Sequence, residues 1–288
     1  MRLQFLLLMI LGFTILGCQH ANDQHLSDEL ELHCTPSKEF ITTISYLRQA
    51  KAFKLTEDQM KAVSISVAKG CVDAAERFIN TVELLVAAGL PTKNSIKLAT
   101  EMSLSTNEQS DAFKKVFKSS FQKLGLDLNL PESVDVAQQI AALVNGKSTN
   151  AADDFDSLVS FCVSKSQLNL PRTYCYQLAM RLSLSNEDRN GSISEPFIDH
   201  VQFLTTDDEG PKLTIKDALK ISSDLVAISP SATNSFAEAY RFAAAKTGLG
   251  LIRSDAVNFA KQLARYTRQL KPDTGGEGRS KLSMVTEP

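Results

Sequence analysis

Carboxylates are the residues best placed to do chemistry in this chain. Asp153, Asp154 and Asp156 form one cluster and Asp207, Asp208 and Glu209 a second. Glu76, Glu101 and Glu195 stand apart. Paired or isolated acids of this kind serve as general acid and base in hydrolysis. The first cluster opens a helical pattern, where the macrodipole favours negative charge. The second lies in a turn ahead of Pro211. Both read as structural, and the three lone glutamates have no supporting constellation. No G-x-S-x-G, H-E-x-x-H, P-loop or dinucleotide fingerprint occurs. Gly248-Leu249-Gly250 lacks a third glycine and reads as a helix stop. The histidines are His20, His25, His33 and His200, and no C-x-x-C occurs, so a zinc site has no support. His200 falls on a helix and reads as a surface or half-buried residue.

The N-terminus carries an address. Arg2 is followed by an apolar run from Phe5 to Leu16, too short for a membrane-spanning helix of ~20 residues. A positive start, a short apolar core and small residues behind it read as a secretory signal over residues 1–17. Ile15-Leu16-Gly17-Cys18 resembles the lipobox of bacterial lipoproteins. The resemblance implies cleavage before Cys18, a diacylglycerol on its thiol and anchorage to a membrane. Leu16 stands where a small residue is commoner in that family. Gln19 follows Cys18, where an Asp would imply inner-membrane retention, so the resemblance points to the outer membrane. Residues 18–33 are polar and read as a tether.

Export makes disulfides the default for the four other cysteines, Cys34, Cys71, Cys162 and Cys175. Proximity favours Cys34 with Cys71 and Cys162 with Cys175. The second pair brackets a turn, and facing positions of an antiparallel helix hairpin can be bridged.

Asn186-Glu187-Asp188-Arg189-Asn190-Gly191 resembles the first half of an EF-hand loop. That resemblance implies Ca²⁺ held by Asn186, Asp188 and Asn190, with Gly191 at the tight turn. The final acidic ligand is missing, because Phe197 stands in its place. The competing reading is a solvated turn between helices.

These residues must be positioned by helices. Leu90–Leu143 aligns without a gap on Leu213–Tyr266, with identities that include Phe113/Phe236, Gly125/Gly248 and Ala137/Ala260. A shorter unit recurs at Leu55, Leu90, Leu128, Leu170, Leu213 and Leu251. Each copy has a leading Leu, a polar turn and an apolar pattern at helical spacing. In the last copy the apolar residues are Val257, Phe259, Ala260 and Leu263. Intervening helices are expected at 71–88, 108–124, 151–166, 194–204 and 232–247. Thr56 with Gln59 fits a capping box, and Ser254 or Asp255 is expected to cap the last unit. No strand-like alternation occurs. The fold class is all-α: helix-pair repeats of about 40 residues, stacked as an α-solenoid or superhelical bundle over residues 34–270. Residues 271–288 carry several helix breakers and read as a disordered tail.

Of 288 residues, 31 are Lys or Arg and 33 are Asp or Glu, giving a net charge of -2. This excludes the basic excess that a nucleic-acid binder needs. Lys93, Lys97, Lys216 and Lys220 recur at equivalent positions, as do Lys118/Arg241 and Lys123/Lys246; they read as a solvated face or a basic stripe. The functional expectation is a lipid-anchored envelope protein, non-enzymatic and without a cofactor, whose body binds a protein or peptide. An envelope hydrolase with an acidic site and a calcium-stabilised module are the alternatives. A deep pocket with a buried acid favours the enzyme, and a groove favours the binder.

Overall fold

The structure, a computed structural model, describes residues 34–144, 150–185 and 191–267. The chain divides into residues 1–35, described only at Cys34 and Thr35, and a body from Pro36 onward. Among the described residues the body is all-helical, without strands. The twelve α-helices are α1 (Pro36–Gln49), α2 (Glu57–Ala68), α3 (Ala74–Ala87), α4 (Thr92–Ser103), α5 (Asn107–Phe121), α6 (Leu130–Leu143), α7 (Ala151–Val163), α8 (Arg172–Leu184), α9 (Ser194–Thr205), α10 (Ile215–Ile228), α11 (Ser231–Ala244) and α12 (Arg253–Tyr266). Consecutive helices pair into six hairpins. The odd-numbered helices form one layer in which each packs on the next, from α1 through α11. The even-numbered helices form the other layer, with α2 on α4, α6 on α8 and α10 on α12.

The repeat register holds at every hairpin. Each even helix starts two residues after a leading Leu: Leu55, Leu90, Leu128, Leu170, Leu213 and Leu251. The residue just before that Leu is left-handed in all six: Lys54, Gly89, Asp127, Asn169, Lys212 and Gly250, with φ from 48° to 90°. The left-handed residue reverses the chain, and the leading Leu then packs, half-buried, on the core. In three hairpins a glycine lies close under the last turn of the odd helix. A Cβ at Gly125, Gly210 or Gly248 would sit 1.9, 1.8 or 1.9 Å from the carbonyl oxygen of Ser119, Phe203 or Phe242. Three odd helices end earlier than the apolar pattern suggested, at Phe121, Val163 and Ala244, because the chain must leave the helix to reach this turn. α3 starts later than expected because Cys71 and Asp73 have φ of 55° and 57°.

Periodic apolar residues supply the core. Phe113, Phe155, Phe197 and Phe236 occupy one equivalent position on successive odd helices, and all are fully buried. Thr56 and Gln59 form the expected capping box on α2. Ser254 and Asp255 do not cap α12, whose N-cap is Ile252. The last hairpin also departs from the buried pattern. Leu263 is 45% exposed, whereas the equivalent Met102, Ile140, Leu182 and Leu225 are buried. No further hairpin covers it among the described residues.

Cys162 at the end of α7 is bonded to Cys175 at the start of α8, with Cα atoms 5.5 Å apart. Cys34 and Cys71 are disulfide-bonded as well. The equivalents of Cys162 and Cys175 are Ser120 with Ser133 in the third hairpin and Ala243 with Ala256 in the sixth, all buried, while the fifth has Leu204 with Ala218. In the third and sixth hairpins small residues let the two helices approach closely, and in the fourth the bridge occupies that place.

Two stability outcomes follow. The double substitution Cys162→Ala, Cys175→Ala lowers unfolding free energy by about 3 kcal/mol, the loop-closure value for this short separation, read by urea denaturation. Lys54→Gly raises stability by about 1 kcal/mol by relieving a left-handed side-chain residue, and Gly250→Ala lowers it by a similar amount. Thermal melts of the two variants should move in opposite directions.

Candidate functional site

Two hollows lie in the odd-helix layer. The first, about 460 Å³, lies between α5 and α7 and is lined by Lys114, Lys115, Lys118, Gln122, Asp111, Ser119 and Asp156. Several of its polar groups are paired. Lys115 is paired with Asp153, Ser119 donates to Asp156, and Lys114 lies 2.6 Å from Asp111.

The second hollow, about 230 Å³, lies between α9 and α11. Pro196, Asp199, His200, Phe203 and Asp207 line it from one side. Thr233, Asn234, Ala237 and Arg241 line it from the other. The N-terminus of α9 is fixed by a carboxylate from the preceding hairpin. Buried Asp154 accepts from the backbone N–H of Ile193 at 3.1 Å and of Ser194 at 3.0 Å, and from the Ser192 hydroxyl at 2.6 Å. This holds α9 in place, and the Phe197 ring in the core sets its rotation.

His200 lies one helical turn beyond Phe197 and is only 3% exposed. The expectation of a surface or half-buried histidine is therefore corrected. Its position is a core position, three residues past the repeated Phe, where other hairpins carry Val116, Leu158 and Ala239. Nδ1 lies 2.9 Å from Oγ of Ser222 on α10. Nε2 is buried and has no hydrogen-bond partner among the described residues. The ring meets Phe236 edge-on at 4.9 Å and lies nearly parallel to Phe203 at 6.2 Å. Burial pushes the imidazole pKa down to about 4. Arg241 lies over the Phe203 ring at 4.9 Å, and its Nε is 2.7 Å from Glu209.

Ser222 is the second departure from the repeat. It stands nine residues after the leading Leu213, where four of the other five hairpins carry Ala99, Ala137, Ala179 and Ala260. All four alanines are fully buried. Polar residues occupy these positions elsewhere too, with buried Thr43 and Ser64 in the first hairpin and Thr81 in the second, but Thr43 and Ser64 bond carbonyls of their own helices whereas His200 and Ser222 bond each other. A donor or acceptor buried without a partner costs roughly 1–3 kcal/mol. The other hairpins form without such a pair.

Other sequence candidates fall elsewhere. Cys18 and the calcium candidates Asn186, Asp188 and Asn190 lie outside the described residues. Among the described residues no group of His, Cys, Asp and Glu is placed to hold a metal ion. Asp153 and Asp156 face α5, while Asp154 caps α9, so the cluster joins three hairpins. In the second cluster Asp208 pairs with Lys212, Glu209 pairs with Arg241 and Asp207 accepts from the Glu209 N–H. Glu76, Glu101 and Glu195 are exposed on α3, α4 and α9 and are not brought together. The repeated lysines 93, 97, 216 and 220 are exposed on α4 and α10, which α6 and α8 separate, so they do not join into one stripe.

Sequence reasoning missed Ser222, Phe203 and Phe236 as partners of His200. The repeat register contains part of the signal, since it sets His200 and Ser222 at buried positions on facing helices. Comparison with family models, with characterised proteins and with solved structures gives no match.

The lowered His200 pKa sets a pH dependence. Above pH 6.5, the ordinary imidazole value, His200 is neutral in both folded and unfolded chains. Below it the unfolded chain takes up the proton first. Stability should therefore fall as pH drops from about 6.5 towards 4, by about 3 kcal/mol in total. His200→Leu combined with Ser222→Ala, which leaves neither partner unanswered, should abolish this component and stabilise the protein at neutral pH by roughly 1–3 kcal/mol. Urea denaturation of both proteins between pH 8 and pH 4 measures the difference, which background carboxylates do not affect.

Proposed function

We propose that the protein is a lipid-anchored envelope protein whose helical body binds a protein or peptide partner without catalysing a reaction on it. The observation that carries this reading is the unbroken row of odd helices, with both hollows lying between successive members of that row. A stack of helix pairs offers its partner an extended surface of inter-helix grooves. The buried carboxylates support binding over the lytic alternative. Glu39 accepts from the backbone N–H of Ala75 at 2.7 Å, and Asp154 accepts from α9. Each is held as an acceptor for helix N–H groups and has a structural partner where a catalytic acid needs a substrate.

The anchor rests on the N-terminal residues. An apolar run ending in Ile15-Leu16-Gly17-Cys18, followed by a polar stretch to His33, suits a lipid on Cys18 and a tether to the body. Acyl chains on one terminus give firm attachment, since each buried methylene adds about 0.8 kcal/mol. Among the described residues no helix is long and apolar enough to cross a membrane. The reading places the lipid at the outer membrane, because Gln19 follows Cys18.

Two measurements test the proposal on the full chain expressed in a bacterial envelope. Intact mass spectrometry should find the mature chain beginning at a lipid-bearing Cys18, and Cys18→Ser should leave unprocessed precursor. Photo-crosslinking residues at Lys118 and Asn234, on odd helices, should each yield one defined protein adduct. The same probe at Lys97 and Lys216, on even helices, should yield none. Adducts confined to the even helices, or turnover of cell-wall polymer by the purified protein, would overturn the binding reading.

A further inference from the structure

We propose that the outer face of the last hairpin, α11 with α12, docks a second copy of this chain, so that two stacks join end to end about a two-fold axis. The inference goes beyond the binding reading above. It concerns the end of the stack, whereas the hollows lie between successive odd helices.

The repeat register identifies the face. Within the stack, one side of each hairpin turns to its predecessor and the other to its successor. On α4, Ile96 packs into the core of the first two hairpins, while Leu98 and Met102 pack into the core that continues to α12. In the last hairpin the successor side meets solvent. Phe242 is 57% exposed, while Phe161 and Phe203 hold the same position on α7 and α9 and are buried. Phe203 shows what the cover consists of, since Tyr240 and Arg241 of the next odd helix pack on its ring. Leu263 is exposed where Leu225 is buried, and Leu249 is exposed where Leu126 is buried. Tyr266 is exposed where Leu143 and Ile228 are half-buried. Stacks of this kind need a polar outer face at each end to stay soluble, and an apolar end marks an interaction site.

Charge selects the occupant. Ser235, Phe242, Leu249, Phe259 and Leu263, which hold the successor-facing positions, carry no charge. The other end of the stack differs. On the first hairpin Arg48, paired with Glu57, and Lys61 are exposed where the third hairpin has Phe121 and Val134. Ile41 and Ile65 share that end with them. Docking the last hairpin onto the first of another copy would set Arg48 and Lys61 against apolar residues, which is costly for a charge left without a partner. Docking it onto its own twin buries no charge and brings no like charges together. The twin also offers two amphipathic helices, as each successor does inside the stack. Residues 271–288 do not, because they hold Pro272, Gly275, Gly276 and Gly278 and only Leu282, Met284 and Val285 as large apolar residues. A contact of one face with itself closes after two copies and gives a dimer.

The test is photo-crosslinking of the full chain in a bacterial envelope, with two differently tagged copies expressed together. A benzophenone side chain at Phe242 or Tyr266 should give an adduct that carries both tags and has the mass of two chains. The same probe at Ile41 or Ile65 should give no two-tag adduct. With the probe at Tyr266, Phe242→Glu with Leu263→Glu should lower the adduct about tenfold or more, because the two-fold axis brings four carboxylates into one contact. Phe242→Lys with Leu263→Lys should lower it as much. The glutamate variant expressed with the lysine variant should restore it, which requires both variants to fold and both copies to use the same face. Absence of the two-tag adduct at Phe242 and Tyr266, or no restoration by the mixed variants, would overturn the proposal. Two-tag adducts from Ile41 or Ile65 would overturn it in favour of a head-to-tail contact. Adducts from Phe242 that stay within one chain, or that hold lipid or a different protein, would overturn it by naming another occupant.

Discussion

Every hairpin depends on one backbone constraint, a left-handed residue placed immediately before a leucine. The step turns the chain back on itself, and the leucine that follows seals the end of the hairpin. Asp127 and Asn169 suit this conformation because their short polar side chains tolerate it, and Gly89 and Gly250 have no Cβ to clash. Lys54 and Lys212 carry strain there. Lys212 recovers some of it, since its ammonium bonds the Thr206 carbonyl at 2.6 Å and Asp208 at 3.0 Å. The same step at six places means that all even helices start in register, which lets one set of apolar positions serve the whole stack.

Hairpins alone do not make a stack, because a buried helix start exposes N–H groups to an apolar neighbour. The acceptors come from the preceding hairpin. Glu39 on α1 reaches the start of α3, and Asp154 on α7 reaches the start of α9. Arginines join hairpins in a complementary way, by bonding carbonyls at turns. Arg77 bonds the carbonyls of Gly70, Val72 and Ser103 and the side chain of Asn107. Arg172 starts α8 and holds the turn at Lys123–Asp127, while Arg253 starts α12 and holds Pro211. Burial pulls the Arg77 pKa below its ordinary value, and Asp73, Glu39 and Glu108 oppose that pull. The charged groups most deeply placed in the body are thus consumed by the fold.

The all-helical class, the six repeat starts and the Cys162–Cys175 bridge were legible in the sequence, because each rests on local pattern. Leucine followed by a turn and a helical stripe needs no knowledge of distant contacts. Helix ends were less legible. The pattern of apolar residues continues through the turns, as at Leu124 and Leu126, while the backbone has already left the helix. The roles of Asp154 and Glu39 were hidden for a different reason. Their partners lie a full repeat away, and a carboxylate in a first turn looks like an ordinary helix-dipole residue. His200 was misplaced because it was weighed as a lone histidine. Set beside Val116, Leu158 and Ala239 it occupies a core position, and the register carries that information even without coordinates.

Repetition gives the chain a way to separate stability from function. Equivalent positions in several hairpins show what the fold requires, since the same backbone is built with Val, Leu or Ala beside the repeated phenylalanine and with Ala on the facing helix. Where those positions are polar in the first hairpin, Thr43 and Ser64 bond carbonyls of their own helices, whereas His200 and Ser222 bond each other and replace apolar packing between α9 and α10. Burying an imidazole with one nitrogen unanswered works against folding, so the neighbours must hold the region together by other means. They do so at its edges. Asp154 fixes the start of α9, Glu209 and Phe203 hold Arg241, and the Tyr240 ring packs edge-on to Phe203 at 5.9 Å. The fifth hairpin is therefore braced around a buried histidine whose Nε2 has no hydrogen-bond partner among the described residues.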